Sequence, residues 1–241
     1  MAFCVTNGFL GFRLQGNLSY SDYDNEELYL KNLKDKPDDW YYRDKEITYS
    51  YNNLGHRSKN IEDVDLDNYI LFTGCSHTEG VGLELDKTYS NIVATELKCD
   101  YYNLALGGSG IDTVMHNLNV WLHTIKKQPK HIIFQWPDPS RFLAYENDAF
   151  HIHGLWEKDP NILNFILAGD ANYYFTARYQ LAKILIESMN NVTLVNLATN
   201  NNEVHFKRYD FARDGLHFGI ESNRILADIL LEKIQQIEKI G

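Results

Sequence analysis

A serine lies between glycines in Gly74-Cys75-Ser76-His77-Thr78-Glu79-Gly80. It directly follows the apolar run Tyr69-Ile70-Leu71-Phe72-Thr73, which reads as a buried strand. A backbone can turn sharply there and leave the hydroxyl exposed. The helix expected next points its free N–H groups back toward that hydroxyl, so an anion forming there is stabilised. A serine hydroxyl is a poor nucleophile near neutral pH and needs a base within hydrogen-bond reach. The base that the sequence offers is His217, in Asp214-Gly215-Leu216-His217. Asp and His three residues apart across a turn can face the same way, so the carboxylate holds the imidazole tautomer. The plainer reading stays open: Asp214 or Ser222 caps the last helix and His217 is a turn residue.

Other residues offer less. His151 and His153 share one face of a strand, but no third metal ligand is evident, so no metal site is expected. His116 and His123 lie two turns apart on a helix and read as ordinary residues. Gly107-Gly108-Ser109-Gly110 lacks the Lys-Ser/Thr that would complete a phosphate loop. No cofactor is implied.

The elements that must position these residues alternate from Asp67 onward. Strands are expected at 69–73, 101–104, 131–136 and 192–197, and helices at 88–97, 111–127, 177–189 and 221–240. Such alternation implies an α/β fold with parallel strands joined by right-handed crossovers and helices on both faces. Sites in such sheets lie beyond the carboxyl ends of the strands, where Ser76, Gly107-Gly108 and Pro137–Arg141 all fall. Residues 142–175 break the pattern and read as an insertion, either a partial lid or substrate wall or an excursion with no binding role. Residues 1–64 form an N-terminal extension to the main domain at 65–241. It opens with a hairpin over 3–14, turning at Asn7-Gly8. Residues 19–53 hold seven tyrosines and Trp40 amid many acids. They are expected to pack on the main domain; the sharper alternative is a surface for carbohydrate, a partner or self-association.

Composition closes several doors. The chain has 241 residues, 44% of them apolar, and a net charge of −10. That balance disfavours nucleic-acid binding. The three widely spaced cysteines, Cys4, Cys75 and Cys99, suggest a reducing compartment rather than a disulfide framework. No signal peptide and no bilayer-spanning run is seen, so the expected location is cytoplasmic or within a viral particle.

With those residues in view, the chain resembles the SGNH (GDSL-type) hydrolases over about residues 66–240. Gly74–Gly80 is similar to the first block, Gly-Asp-Ser-x-Thr-x-Gly. Asn103-Leu104-Ala105-Leu106-Gly107-Gly108 resembles the second and Asp214-x-x-His217 the last, in the family's order. The resemblance implies a three-layer α/β/α sandwich with a mostly parallel, flavodoxin-like sheet. It also implies Ser76 as nucleophile, His217 as general base and then acid, and Asp214 as its orienting partner. The N–H groups of Ser76 and Gly108 would bind the oxyanion, with Gly110 as a neighbouring alternative to Gly108.

Two positions depart from the family. Cys75 replaces the aspartate before the serine. The third block's asparagine is absent, and Gln135, Ser140 and Arg141 are the candidates to donate in its place. The implied activity is hydrolysis of an ester, an O-acetyl ester on a carbohydrate first. The alternative is a non-catalytic binding or structural protein on the same fold.

Overall fold

The computed structural model describes residues 2–12, 15–189, 192–196, 204–206 and 208–240. The end of the expected hairpin, at 13–14, and Leu197 of an expected strand lie outside them. In chain order the elements are β1 (Ala2–Thr6), β2 (Phe9–Phe12), β3 (Gly16–Leu18), α1 (Glu26–Asp35), β4 (Tyr49–Tyr51) and β5 (Tyr69–Thr73). Then come the one-turn α2 (Ser76–Glu79), α3 (Tyr89–Glu96), β6 (Asp100–Asn103), α4 (Ile111–Thr124) and β7 (His131–Gln135). The rest are β8 (Phe142–Glu146), β9 (Ala149–His153), α5 (Pro160–Leu167), α6 (Gly169–Glu187), β10 (Val192–Asn196), β11 (Val204–His205) and α7 (Ile220–Ile240).

Five parallel strands form the central sheet in the order β6-β5-β7-β10-β11. Counted along the chain this is 2-1-3-4-5, the flavodoxin-like order, with its switch point beside β5. Side chains alternate across a strand, so β5 and β7 each serve two cores. Tyr69, Leu71, Ile132 and Phe134 pack with Leu118 and Trp121 of α4 and Ala182 and Ile186 of α6. Ile70, Phe72 and Ile133 face the other way, onto Tyr89 and Val93 of α3 and Leu226, Leu230 and Ile234 of α7. The result is the three-layer α/β/α sandwich. Ser76 and Gly107-Gly108 follow the carboxyl ends of the neighbouring strands β5 and β6, and Ser76 also borders the switch point between β5 and β7.

The insertion is more ordered than its sequence suggests. Strands β8 and β9 form a hairpin whose turn residues, Asn147 and Asp148, have φ of 48° and 60°. Strand β9 also pairs with β1, so the first hairpin and the insertion share one antiparallel sheet, β2-β1-β9-β8. Asp159 caps α5, with Pro160 at its first position. Helix α6 begins at Gly169, eight residues before the expected start at Ala177.

One buried histidine ties the first hairpin to the main sheet. His56 Nε2 lies 2.9 Å from the Leu10 carbonyl, which can only accept, so this nitrogen carries the proton. Nδ1 then accepts from the Tyr102 hydroxyl at 2.9 Å. Burial lowers the His56 pKa from 6.5 to about 4. As pH falls below 6.5 the unfolded chain takes up this proton first, so folding is penalised until about pH 4. The loss from this residue is about 3 kcal/mol. Urea melts across that range are expected to show it, and His56→Gln should lower neutral stability while flattening the acid dependence.

Candidate active site

Strand β5 delivers the chain into a tight turn. Cys75 is still extended, Ser76 opens α2, and Gly80 ends it with φ of 82°. Behind the turn sits Gln135, the last residue of β7. Its side-chain oxygen accepts from the Cys75 N–H at 3.2 Å and the Thr78 hydroxyl at 2.6 Å. Its amide nitrogen lies 3.1 Å from Cys75 Sγ and donates to the Trp136 carbonyl at 3.3 Å. Cys75 is buried against this amide, and Ser76 faces the other way.

The distant loop meets the turn. Ser76 Oγ lies 2.7 Å from His217 Nε2. His217 Nδ1 is held by Asp214 Oδ2 in a short hydrogen bond. Asp214 Oδ1 accepts the N–H groups of Leu216 at 2.9 Å and His217 at 3.0 Å, which fixes the carboxylate. Asp214 is buried, whereas the His217 ring remains partly exposed. The last helix is capped by another residue: Asp210 accepts from the N–H groups of Glu221 and Ser222. Asp214 is therefore free of the capping role that the sequence left open.

The two loops are joined at Gly82, whose carbonyl accepts the Arg213 N–H at 3.0 Å. Gly82 has φ of 81°, and a Cβ there would come within 2.6 Å of the Ala212 methyl, so glycine is required twice over.

Gly108 has φ of 77° and follows Gly107, which meets the helix that Ser76 opens. The N–H of Gly107 donates to Glu79 Oε2 at 2.6 Å, and Tyr51 donates to Oε1 at 2.7 Å. Burial raises the Glu79 pKa, while these two hydrogen bonds and Arg57 oppose the rise. The N–H groups of Ser76 and Gly108 take no part in the turn bonds that shape this region among the described residues. Tyr23 closes the wall. Its ring packs on Gly107 and Gly108 and stands 6.3 Å, edge-on, from the His217 ring.

Two further groups complete the surroundings. The His77 ring lies 5.0 Å from that of His217 and 4.0 Å from that of Phe218. Its Nδ1 is buried without a partner among the described residues. Burial, and then the nearby His217 and Arg141, push the His77 pKa well below the ordinary value. Ser140 donates its hydroxyl to Asp138 at 2.6 Å. Gln135 and Ser140, expected as candidates to meet a ligand, direct these hydrogen-bond donors to the protein itself. Arg141 differs: its Nε and Nη1 are buried and unpartnered among the described residues.

The extension grips the base-bearing loop. Arg213 pairs with Asp24 at 2.8 Å, both nearly fully buried. The Tyr20 and Tyr29 rings lie 5.0 Å and 5.2 Å from its guanidinium. Tyr49 donates to Asp24 at 2.5 Å and accepts the Gly82 N–H at 2.8 Å. Asn32 of α1 donates to the Arg213 carbonyl at 2.9 Å. Of the seven tyrosines, Tyr42, Tyr49 and Tyr51 are buried, Tyr20, Tyr23 and Tyr29 are partly buried, and Tyr41 is exposed. Sequence reasoning missed Tyr23, Asp24 and Arg213 as neighbours of the site. For the first two, the acid-rich tyrosine cluster was the only signal.

Elsewhere, His153 is buried between Glu157 at Nδ1, 2.9 Å, and Glu146 at Nε2, 3.0 Å. The two carboxylates sit on opposite sides of the ring, so one ion cannot bridge them. No cluster of three metal-ligating side chains occurs among the described residues. No helix among them is long and apolar enough to cross a membrane.

No protein-family profile matches the chain, and no curated protein sequence does. Solved structures do. One is a carbohydrate esterase whose active site displays divergent catalytic and non-catalytic binding functions, at 14% identity and a TM-score of 0.41, over 70% of this chain and 65% of that one. Another is an acetyl xylan esterase from the rumen bacterium Butyrivibrio proteoclasticus, at 16% identity and a TM-score of 0.40, over 70% and 63%. A third is the psychrotrophic esterase EstA from Pseudoalteromonas, at 14% identity and a TM-score of 0.38, over 70% and 98%. The chain thus spans a little under two thirds of the first two.

Proposed function

We propose that the protein is a serine hydrolase of the SGNH type that cleaves an O-acyl ester, with an acetyl ester on a carbohydrate as the first candidate substrate. The observation that carries this reading is the 2.7 Å contact between Ser76 Oγ and His217 Nε2, made by residues 141 apart in sequence, with Asp214 on the other ring nitrogen.

In this reading Ser76 Oγ attacks the ester carbonyl as its proton passes to His217 Nε2. Asp214 stabilises the imidazolium. The N–H groups of Ser76 and Gly108 receive the oxyanion, each such donor being worth about a hundredfold or more in rate. Collapse breaks the ester C–O bond, and His217 protonates the departing alcohol. Water then attacks the acyl-enzyme by the same route in reverse roles and releases the acid. Cys75 is not the nucleophile: it is buried against Gln135, away from His217. Carbohydrate is supported by the SGNH resemblance and by Tyr23, whose ring stands beside His217 and offers a flat apolar face.

A second reading, a binding protein without turnover, is favoured by one observation. Gln135, which stands where the family's third block would begin, is turned to hold Cys75. One experiment separates the two. The protein is mixed with 4-nitrophenyl acetate, acid-quenched and digested. An acetyl group on the Ser76 peptide, absent in Ser76→Ala, is expected. Acetyl absent from that peptide, or equal in the variant, overturns the hydrolase reading.

A further inference from the structure

Arg141 stands one residue before β8, at the head of the insertion. Its backbone packs against Gly110, where a Cβ would come within 2.5 Å of the Arg141 carbonyl, so it shares the rim that holds Gly108. Its guanidinium lies 5.2 Å from the ring of Trp156, a half-exposed residue of the same insertion. Its charge reaches Tyr23 and His77, the two residues flanking His217.

Among the described residues it lacks a counter-charge: it enters no ion pair, and Nε and Nη1 are shielded from solvent without an acceptor. Arg213, more deeply buried, is paired with Asp24 and bonded to the Ser19 carbonyl; Arg57 is bonded to the carbonyls of Gly80 and Leu83, with its Nε alone left over. Guanidinium nitrogens shielded from water without an acceptor are costly to keep, although Arg141 as a whole is only partly buried. A guanidinium fork matches a carboxylate in two parallel hydrogen bonds. The chain's net charge of −10 repels anions at long range, so selection for one must be made locally.

We infer that Arg141 reads a carboxylate on the substrate, so that the preferred ester carries a fixed negative charge beside the scissile bond. The inference rests on the hydrolase reading above. The charge belongs either to the sugar half, as in a uronic acid, or to the acyl half, as in a dicarboxylic half-ester. Trp156 supplies a platform for the ring or chain that bears it.

Two substrate pairs test this and tell the sources apart. Acetylated methyl glucuronoside is compared with acetylated methyl glucoside, and 4-nitrophenyl hydrogen succinate with 4-nitrophenyl butyrate. For one pair, kcat/KM is expected to favour the anionic ester about ten- to hundredfold. In Arg141→Gln that ratio should fall to about one. In Arg141→Lys, which keeps the charge but loses the fork, it should fall by about threefold or more, and this variant serves if the glutamine variant melts early. A ratio near one in the native protein for both pairs overturns the inference. So does a ratio that survives in the variants. Equal losses on neutral and anionic esters also overturn it, because Arg141 then serves every ester alike.

If no ester is turned over, Ser76→Ala protein is titrated calorimetrically with methyl glucuronoside, methyl glucoside and succinate. Binding of an anion that requires Arg141 keeps the carboxylate site and sinks only the hydrolase reading. Binding that is absent or blind to charge removes the inference as well.

Discussion

Alanine at Ser76 or at His217 is expected to lower kcat for an acetyl ester by about four to six orders of magnitude, and the double variant by no more than the worse single one. In the proposed hydrolysis the two side chains act as one unit. Without the hydroxyl there is nothing to acylate, and without Nε2 the serine proton has no acceptor within 2.7 Å. Each single change therefore removes the whole covalent route, and the second has nothing left to remove. A residual rate over water should persist from the N–H groups at Ser76 and Gly108 and from substrate binding. Both positions border solvent or a turn, so melting temperatures should move little. Initial rates with 4-nitrophenyl acetate, alongside thermal melts, check both halves. Additive losses in the double variant would mean that the two residues serve separate steps.

The second large effect concerns Asp24, which touches no reacting atom. Asp24→Ala is expected to destabilise the fold by about 3–5 kcal/mol, because Arg213 is then left charged and unpaired in a dry site. Its side chain is 3% exposed and that of Asp24 is 0%. Replacing both residues at once by apolar ones of similar volume should cost far less than the single change. Activity should not follow stability in that double variant. Arg213 precedes Asp214 directly, and its guanidinium anchors the loop to Ser19, Tyr20, Asp24 and Tyr29. Without that anchor, kcat should fall at a temperature where the protein remains folded, while KM changes little. Urea unfolding curves and steady-state kinetics on the two variants separate the effects.

How much of this was legible beforehand depends on the range of the interaction. The α/β alternation was readable because periodicity is local: Ile70 and Phe72 against Leu71, or Leu226, Leu230 and Ile234 along one helix face. The Ser76 turn and the Asp214–His217 pair were readable because each is contained in a few residues. The order of the blocks then suggested that the two meet. The insertion carried signals that were passed over. Asn147-Asp148 is a two-residue hairpin turn with both φ positive, and Asp159-Pro160 is a helix start. Neither Tyr23 beside His217 nor Asp24 beneath Arg213 could be read, because nothing in the spacing of one tyrosine among seven says which reaches the cleft. The role of Gln135 was hidden for another reason. The residue type was right for an oxyanion donor, and only its hydrogen bonds to Cys75 and Thr78 show that it faces the other way.

The sheet shared by β1 and β9 has a bearing on biosynthesis. The Phe3 pairing with Phe150 joins residues synthesised far apart in time. Until the ribosome has released the stretch around 150, the opening ribbon has an unsatisfied rim and Phe3 lacks part of its cover. A nascent chain should therefore gain from chaperone cover until the segment around residue 150 has emerged, and pausing just downstream of that point would favour its assembly.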